Sequence, residues 1–424
     1  MVETRPNSRR HAPRFVALAL AACGGGGGGG GSVAIVSGAG TAAPTATPTP
    51  TPTPTSTATP TPTPTVTTSG GASVPSPSLA GLDPIASGID VSQYLVSAQG
   101  TGAIPGQDAG DVVGSFRMLC APSHNAYDDP IVYPGQAGKA HLHTFFGNTG
   151  ANASSTYKSL RTTGESTCNN LLNRSAYWVP SLMNGRGKVV MPDYLVVYYK
   201  RRPASDPACK TMGKECIQLP RGLRYIFGHN MTSPANGSPT SKYWWNCDGP
   251  GGASGHFSNI AQAAKGCPAG ARIGIVLVAP SCWNGEELDT PDHRSHMAYT
   301  SYGADGKERC PATHPYVIPE FTLGVWYTTD GTLDRSGNES ADADTWYLSS
   351  DRMPGMPNAV PGTTAHADWF GAWEDSILSL WHANCINKQL SCHSGDLGNG
   401  QQLAMNAGYA YGNKTVLVDI PPKP

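Results

Sequence analysis

The distribution of cysteines constrains the fold of this chain more than any other feature. Of 11 cysteines, Cys23 stands apart and the other ten lie between Cys120 and Cys392. An even number in an exported chain predicts up to five disulfides, which staple long loops around a core. Cys209 and Cys216, and Cys385 and Cys392, are the nearest pairs in sequence, but spacing alone does not determine the pairing. The tight CxxC pairs of a thiolate zinc site are absent from the sequence.

The N-terminus predicts export. An arginine-rich start precedes a short apolar run over residues 15–22, which ends in a small-residue box, Leu20-Ala21-Ala22-Cys23, as in a secretory signal. The run is too short to span a bilayer. Because the small-residue box ends on Cys23, it resembles the signal of bacterial lipoproteins, in which this cysteine is lipidated and becomes the mature N-terminus. We therefore expect a signal peptide over residues 1–22 and an exported lipoprotein that faces the periplasm or the cell exterior. Its membrane attachment would depend on Cys23 alone.

A low-complexity segment separates this signal from the rest of the chain. Residues 24–31 are eight consecutive glycines, and residues 46–68 alternate Pro and Thr. Glycine gives a flexible chain and alternating proline favours extended polyproline II, so this composition is typical of a spacer. We expect a disordered linker over residues 23–82 and a folded domain over residues 83–424.

The folded part is predicted to be mainly β. Short β-branched and aromatic runs at Tyr194–Tyr199, Ile273–Val278 and Phe321–Tyr327 lie between clusters of Gly, Pro, Asn and Asp, which favours strands. Helical periodicity is clearest around Glu374–Asn384. We expect a β-sandwich or jelly-roll-like core with long disulfide-stapled loops and few short helices.

Charge and motifs exclude several classes of function. The net charge is -1 and only 14% of residues are charged, so no basic surface for nucleic acid is expected. The HExxH, GxSxG, P-loop and GxGxxG motifs are also absent from the sequence.

Three polar clusters carry the residue types that catalysis or metal binding requires. Histidines at i and i+2 on a strand point to one face and offer two imidazoles to one metal or substrate, and an aspartate can orient a nearby imidazole. Glu320 is a further candidate acid. The clusters are His141 with His143, Asp292 with His293 and His296, and His366 with Asp368. We assign all of these to a candidate catalytic site, and His141 and His143 to a divalent metal.

Aromatic residues suggest a second role. The chain has 9 Trp and 17 Tyr, and Trp283 and Trp369 lie beside polar residues rather than in apolar runs. An exposed aromatic face stacks on sugar rings, while an amide such as that of Asn148 reads hydroxyls. These three residues are the predicted substrate-binding set.

The chain resembles the DUF1996 family, a domain of unknown function in secreted fungal and bacterial proteins. The resemblance spans residues 116–385 and includes every candidate catalytic residue named above. Members often occur beside carbohydrate-binding modules, which implies a polysaccharide ligand without establishing a reaction. It rests on DPIVYPGQAGKAHLHTFFGNT (129–149), STYKSLRTTGESTC (155–168), NRSAYWVPSLM (173–183), PDYLVVYYK (192–200), PSCWNGEELDTPDHRSHMAY (280–299), CPATHPYVIPE (310–320) and HADWFGAW (366–373).

These observations leave two interpretations open. In the first, the domain binds or acts on extracellular polysaccharide or cell-envelope glycan, with histidine as general base or metal ligand and a carboxylate as acid. In the second, it is a noncatalytic metal-binding or structural envelope protein. The sequence does not decide whether the domain is an enzyme.

Overall fold

The computed structural model describes residues 73–98, 112–231, 242–412 and 414–424. All of them belong to one compact unit, Val66–Pro424. The predicted signal peptide, Cys23 and most of the predicted linker lie outside the described residues. Ordered structure begins before Asp83, since Val74–Pro75 forms a strand and Leu79 and Leu82 pack against the core.

Twenty-five strands account for most of the regular structure in the described residues. The first twelve are β1 (Val74–Pro75), β2 (Leu95–Ser97), β3 (Gly114–Cys120), β4 (Pro122–Ala126), β5 (His143–Gly147), β6 (Ala176–Pro180), β7 (Leu182–Met183), β8 (Lys188–Met191), β9 (Tyr194–Arg201), β10 (Glu215–Cys216), β11 (Arg224–Gly228) and β12 (Tyr243–Asp248). The others are β13 (Arg272–Val278), β14 (Cys282–Trp283), β15 (Glu287–Asp289), β16 (Met297–Ala298), β17 (Ser301–Tyr302), β18 (Glu308–Arg309), β19 (Tyr316–Val317), β20 (Glu320–Thr328), β21 (Tyr347–Leu348), β22 (His366–Phe370), β23 (Ser391–Cys392), β24 (Gln401–Leu403) and β25 (Val416–Asp419).

Helices are few and short, as expected. The described α-helices are α1 (Tyr157–Thr162), α2 (Pro207–Met212), α3 (Ile260–Lys265) and α4 (Asp375–Trp381), with a 3₁₀ turn at Val91–Tyr94. The helix α4 confirms the periodicity seen around Glu374–Asn384, and it continues into a π-helical turn at His382–Ile386. Within the described ranges, no helix is long and apolar enough to cross a bilayer.

Two sheets form a sandwich, which confirms the mainly β prediction. One has six strands in the order β12-β13-β20-β9-β3-β23, and the other has five in the order β11-β22-β6-β5-β4. The predicted strands are β9, β13 and β20, three neighbours in the six-stranded sheet. Side chains from the facing surfaces interdigitate: the ring of Phe321 in β20 lies 5.0 Å from that of Trp369 in β22. The main hydrophobic core therefore lies between the two sheets.

The other face of the five-stranded sheet is covered by a long connection rather than by a third sheet. Residues of β5, β6, β11 and β22 on this face form a second apolar cluster with Ile131, Tyr157 and Leu160 from residues 127–165. Strand alternation explains the division, because neighbours along each strand point to opposite faces. This covered outer face contains the polar residues considered next.

The ten cysteines of the folded part form five disulfides, which confirms the expected framework. They join Cys120 to Cys168, Cys209 to Cys216, Cys247 to Cys267, Cys282 to Cys310, and Cys385 to Cys392. The two pairs nearest in sequence are thus bonded to each other. No thiolate of these ten remains to bind a metal.

Candidate metal centre

Strand register places two of the candidate histidines at one level of the five-stranded sheet. His143 begins β5 and pairs with Pro180 in β6. Asp368 in β22 pairs with Trp178 in β6, so the same register, extended by two residues, places His366 opposite Pro180. Paired residues point to the same face. His143 and His366 therefore share the outer face, with Pro180 between them.

His141 completes a three-histidine cluster from the loop just before β5. Its ring centroid lies 4.2 Å from that of His143 and 5.2 Å from that of His366. The ring nitrogens available for coordination all lie within 4.8 Å of one another. His143 and His366 are buried, whereas His141 is partly exposed, so the cluster is closest to solvent at His141.

Backbone carbonyls fix the tautomers of the two strand histidines. Nδ1 of His143 lies 2.9 Å from the carbonyl oxygen of Asp128, and Nδ1 of His366 lies 2.8 Å from that of Thr364. A carbonyl only accepts, so each Nδ1 carries the proton and donates it. In the neutral ring, Nε2 then has a free lone pair. Nε2 of His143 and of His141 is buried without any hydrogen-bond partner.

The surroundings keep these rings neutral. Burial lowers the pKa of His141 well below its usual value, and His143 and His366 add to the shift. Burial likewise lowers the pKa of His143, although Asp129 opposes the effect, and brings the pKa of His366 well below the ordinary range. Neutral imidazole is the form that binds metal ions.

A buried carboxylate lies on the same face, one row along β22. Both oxygens of Asp368 are buried without a hydrogen-bond partner. Burial raises the pKa of Asp368 well above its usual value, Asp129 raises it further, and Arg294 opposes the shift. Arg294 donates to the carbonyls of Gly228 and His229 at 3.2 and 2.7 Å.

The three histidines fit a transition-metal ion. Convergent neutral imidazoles suit Zn²⁺ and its neighbours, and the ring that leans on a backbone carbonyl through Nδ1–H is the usual arrangement of a metal-binding histidine. The unpartnered Nε2 atoms of His141 and His143 are unfavourable in an empty polar pocket and favourable as ligands. Three protein ligands leave a coordination position for water or substrate.

The histidines of the second predicted cluster form hydrogen bonds with other partners. Nδ1 of His293 lies 2.8 Å from Oδ1 of Asp289, and the two ring nitrogens of His296 contact Thr290 Oγ1 at 2.8 Å and the Arg224 carbonyl at 3.0 Å. These rings are not among the described groups that converge as metal ligands. Burial lowers the pKa of His296 to about 4. Both histidines thus have structural partners.

Asp292 and Glu320 also lie outside the three-histidine cluster. Asp292 reaches an imidazole through Thr290, whose hydroxyl donates to Oδ1 of Asp292 at 2.8 Å and lies 2.8 Å from Nδ1 of His296. The same Oδ1 accepts from the backbone of Arg294 and Ser295 and closes a turn. Burial opposes the shift, yet these bonds and the Ser295 hydroxyl lower the pKa of Asp292 to about 2. Glu320 begins β20 in the other sheet, opposite Lys200. Burial raises its pKa against the charges of Lys200 and Lys242.

The predicted substrate-binding residues are buried, which corrects the expectation of an exposed sugar-binding face. Trp283 is 0% exposed and Trp369 is 1% exposed. Trp369 alternates with His366 and Asp368 along β22, so it must point into the sandwich core when they point outward. Asn148 is fully buried, and its amide nitrogen donates to the carbonyls of Leu160 and Thr163 at 2.9 and 3.0 Å.

Sequence reasoning missed the residues that support the histidines. Two of them, Asp128 and Thr364, act through backbone carbonyls, which every residue has. The third, Arg294, acts through its charge at a distance. Neither kind of contact can be recognised from the residue types in the sequence. Asp129 begins the motif DPIVYPGQAGKAHLHTFFGNT, but the sequence predicts no role for it. It is buried, and its Oδ1 accepts from the amides of Ile131 and Val132, both at 2.9 Å.

Comparison with known proteins agrees with the sequence motifs. Residues 129–373 of the 424 match the family described as Domain of unknown function (DUF1996). No curated protein and no solved structure matches the chain. The matched segment contains all three histidines of the cluster, and it covers more than half of the chain. The chain therefore belongs to the DUF1996 family.

Proposed function

We propose that this domain is a metal-dependent protein that acts on extracellular polysaccharide. His141, His143 and His366 would hold one divalent transition-metal ion. The observation that carries the proposal is the convergence of three neutral imidazoles, two of them with buried Nε2 atoms that have no other partner. Such an ion, once bound, acts as a Lewis acid and lowers the pKa of a coordinated water.

The protein groups around the cluster support a hydrolytic or lytic role. The carbonyls of Asp128 and Thr364 hold the rings in the ligating tautomer. Asp368 is a buried carboxyl beside them whose environment favours the protonated form, as a general acid requires. The partly exposed Arg294 adds a positive charge that acts on His366 and Asp368.

The location and substrate class are part of the proposal. The arginine-rich start, the small-residue box at Cys23 and the Gly and Pro/Thr linker favour an exported lipoprotein whose domain reaches outward from a membrane. The association of family members with carbohydrate-binding modules favours polysaccharide. The buried tryptophans give this assignment no further support.

Metal analysis of the purified protein tests the centre. We expect close to one equivalent of transition metal in the wild type and loss of it in His143→Ala and His366→Ala. His393→Ala is the matched control, because His393 is exposed and lies outside the cluster. Wild-type protein that neither contains nor takes up Zn²⁺, Cu²⁺, Ni²⁺ or Co²⁺ would refute the metal site.

Product release from a panel of cell-wall and capsular glycans tests the activity. We expect release by the metal-loaded protein, loss after chelation, and recovery when metal is added back. A stoichiometric metal with no product from any glycan would instead favour the noncatalytic metal-binding alternative. In that case, replacing the metal-site histidines would change the stability of the protein and no catalytic activity.

A further inference from the structure

A second polar site lies in a cleft away from the three histidines. The cleft has a volume of about 440 Å³ and is bordered by β10, the end of β9, α4 and the π-helical turn. This volume is within the range of about 300–1,000 Å³ typical of small-molecule sites. The residues of the metal centre do not line it.

His382 is an unusual member of the cleft lining. It is 1% exposed, and neither ring nitrogen has a hydrogen-bond partner. The ring stacks on Trp381 with centroids 4.1 Å apart. His382 is the first residue of the π-helical turn, a distortion that is often found at functional sites. Buried polar atoms without a partner are unfavourable, and a ligand that reaches them from the cleft would satisfy them.

Arg201 provides a buried positive charge beside this histidine. It is 4% exposed, and its guanidinium donates to the carbonyls of Arg202 and Ile217 and to Oδ1 of Asn387. None of the ion pairs formed by the described residues includes Arg201. A guanidinium has five N–H donors, so two remain after these three bonds. A buried cation without an anionic partner is costly, and an anionic ligand would offset that cost.

The acidic residues of the cleft do not fill this role. Asp375 lies 3.9 Å from Arg161 and 3.7 Å from Arg221, so its charge is directed to those two cations. Glu215 is exposed at the rim. Gln218 and Ser379, also exposed, add an amide and a hydroxyl that suit sugar hydroxyls.

We propose that this cleft binds a carboxylate-bearing sugar, with the carboxylate at Arg201 and His382. Arg201 pairs with carboxylates in a bidentate manner through its spare donors, and a ring N–H of His382 donates to the same group. The acidic ligand is inferred from the cleft itself, whereas its place in a polysaccharide rests on the proposed function. The site would thus hold an acidic glycan while the metal centre acts on it elsewhere.

Titration calorimetry with the full-length chain tests this site. The probes are a tetramer of galacturonic acid and its fully methyl-esterified form, in which each carboxylate is replaced by an uncharged methyl ester. We expect the ester to bind at least about tenfold more weakly, as loss of a charged hydrogen bond predicts. Equal binding of both probes, or no binding of the acid, would overturn the proposal.

Variants locate the binding. Arg201→Gln and His382→Phe should each weaken binding of the acid at least about tenfold, and His382→Phe keeps the ring on Trp381 if Arg201→Gln fails to fold. Unchanged affinity in His382→Phe would refute the assignment. Acetate that competes as strongly as the tetramer would show a small-anion site and refute the sugar assignment.

The metal-site variant His366→Ala separates this proposal from the proposed function. It should bind the acid tetramer like the wild type, because His366 does not line the cleft. Parallel loss of binding in His366→Ala would contradict a separate site. Retained metal in His382→Phe, together with lost tetramer binding, would support it.

Discussion

His143 and His366 lie on opposite sides of Pro180, at one level of three adjacent strands. Neighbouring strands are about 4.8 Å apart, so the two backbones are separated by about twice that distance. Each ring nevertheless offers a nitrogen within 4.8 Å of those offered by the other ring and by His141. Both side chains must therefore extend toward each other across the position of Pro180.

A larger side chain at position 180 should push the histidine rings apart. Pro180→Leu places a longer, branched side chain between the rings, so we expect metal affinity to fall at least about tenfold, the effect of a disturbed ligand shell. Pro180→Ala leaves the space free and should retain metal. Zinc titration against a competing chelator measures both. Equal affinities in the two variants would show that Pro180 does not set the ring positions.

Gly228 should be indispensable for the position of His366. It pairs with His366 across β11 and β22 and has φ +88°. A Cβ here would lie 2.7 Å from the Ala365 carbonyl oxygen and 2.8 Å from Cα of His366. We expect Gly228→Ala to lose metal and to destabilise the protein by about 1–3 kcal/mol, as judged from urea unfolding.

Gly355→Ala is the matched control for this effect. Gly355 has φ +83°, but a Cβ there would meet nothing within 4 Å. It therefore has the same backbone strain without the clash. Metal content should stay at the wild-type level in Gly355→Ala, and loss in both variants would mean that strain alone, rather than the contact with His366, disturbs the centre.

Asp368→Asn should stabilise the metal-free protein while impairing its function. Asp368 is a buried carboxyl whose oxygens have no hydrogen-bond partner, and burial raises its pKa well above the usual value. A raised folded-state pKa costs stability at every pH above the unfolded value, since the unfolded state ionises more easily. We expect a gain of about 1–3 kcal/mol at pH 7 from urea unfolding of chelated protein. A loss of stability would indicate that Arg294 holds the ionised carboxylate.

Trp283→Ala should act on stability rather than directly on ligand binding. Trp283 is fully buried, and its Nε1 donates to the Glu287 carbonyl at 2.6 Å. Truncation of such a core tryptophan costs about 3–5 kcal/mol. The control is Trp244→Ala: this half-buried ring stacks on His256 with centroids 4.2 Å apart, and its loss should cost about 1 kcal/mol. The denaturant midpoints of the two variants measure both losses of stability. A much larger loss in Trp283→Ala would show that this ring packs in the core.

The sequence predicted those strands and strand faces that depend on residues close together in the chain. The runs at 194–199, 273–278 and 321–327 are strands because β-branched and aromatic side chains suit a pleated, buried surface. Alternation along β22 also places His366 and Asp368 on one face, as their spacing predicted. The same alternation turns Trp369 inward, a consequence that the sequence contained and that the prediction of an exposed ring overlooked.

Long-range register could not be read from the sequence. The meeting of His366 with His141 and His143 depends on β6 pairing with both β5 and β22 across large separations in the chain. The cluster at Asp292–His296 has equally suitable residue types, but its rings are hydrogen-bonded to Asp289, Thr290 and the carbonyl of Arg224. Residue type therefore identified the candidates, and only strand pairing showed which of the histidines lie together.

His296 should make the stability of the protein depend on pH. Burial lowers its folded-state pKa to about 4, while an unfolded histidine titrates near 6.5. Between these values the unfolded state binds the extra proton, so the His296 contribution is complete above pH 6.5 and is lost as pH falls towards 4. Wild-type stability should therefore fall more steeply than that of His296→Gln, by about 1.4 kcal/mol per pH unit. Urea unfolding of chelated protein measures both slopes. The exposed-site variant His393→Gln should parallel the wild type, and parallel curves for His296→Gln as well would mean that His296 is protonated equally in both states.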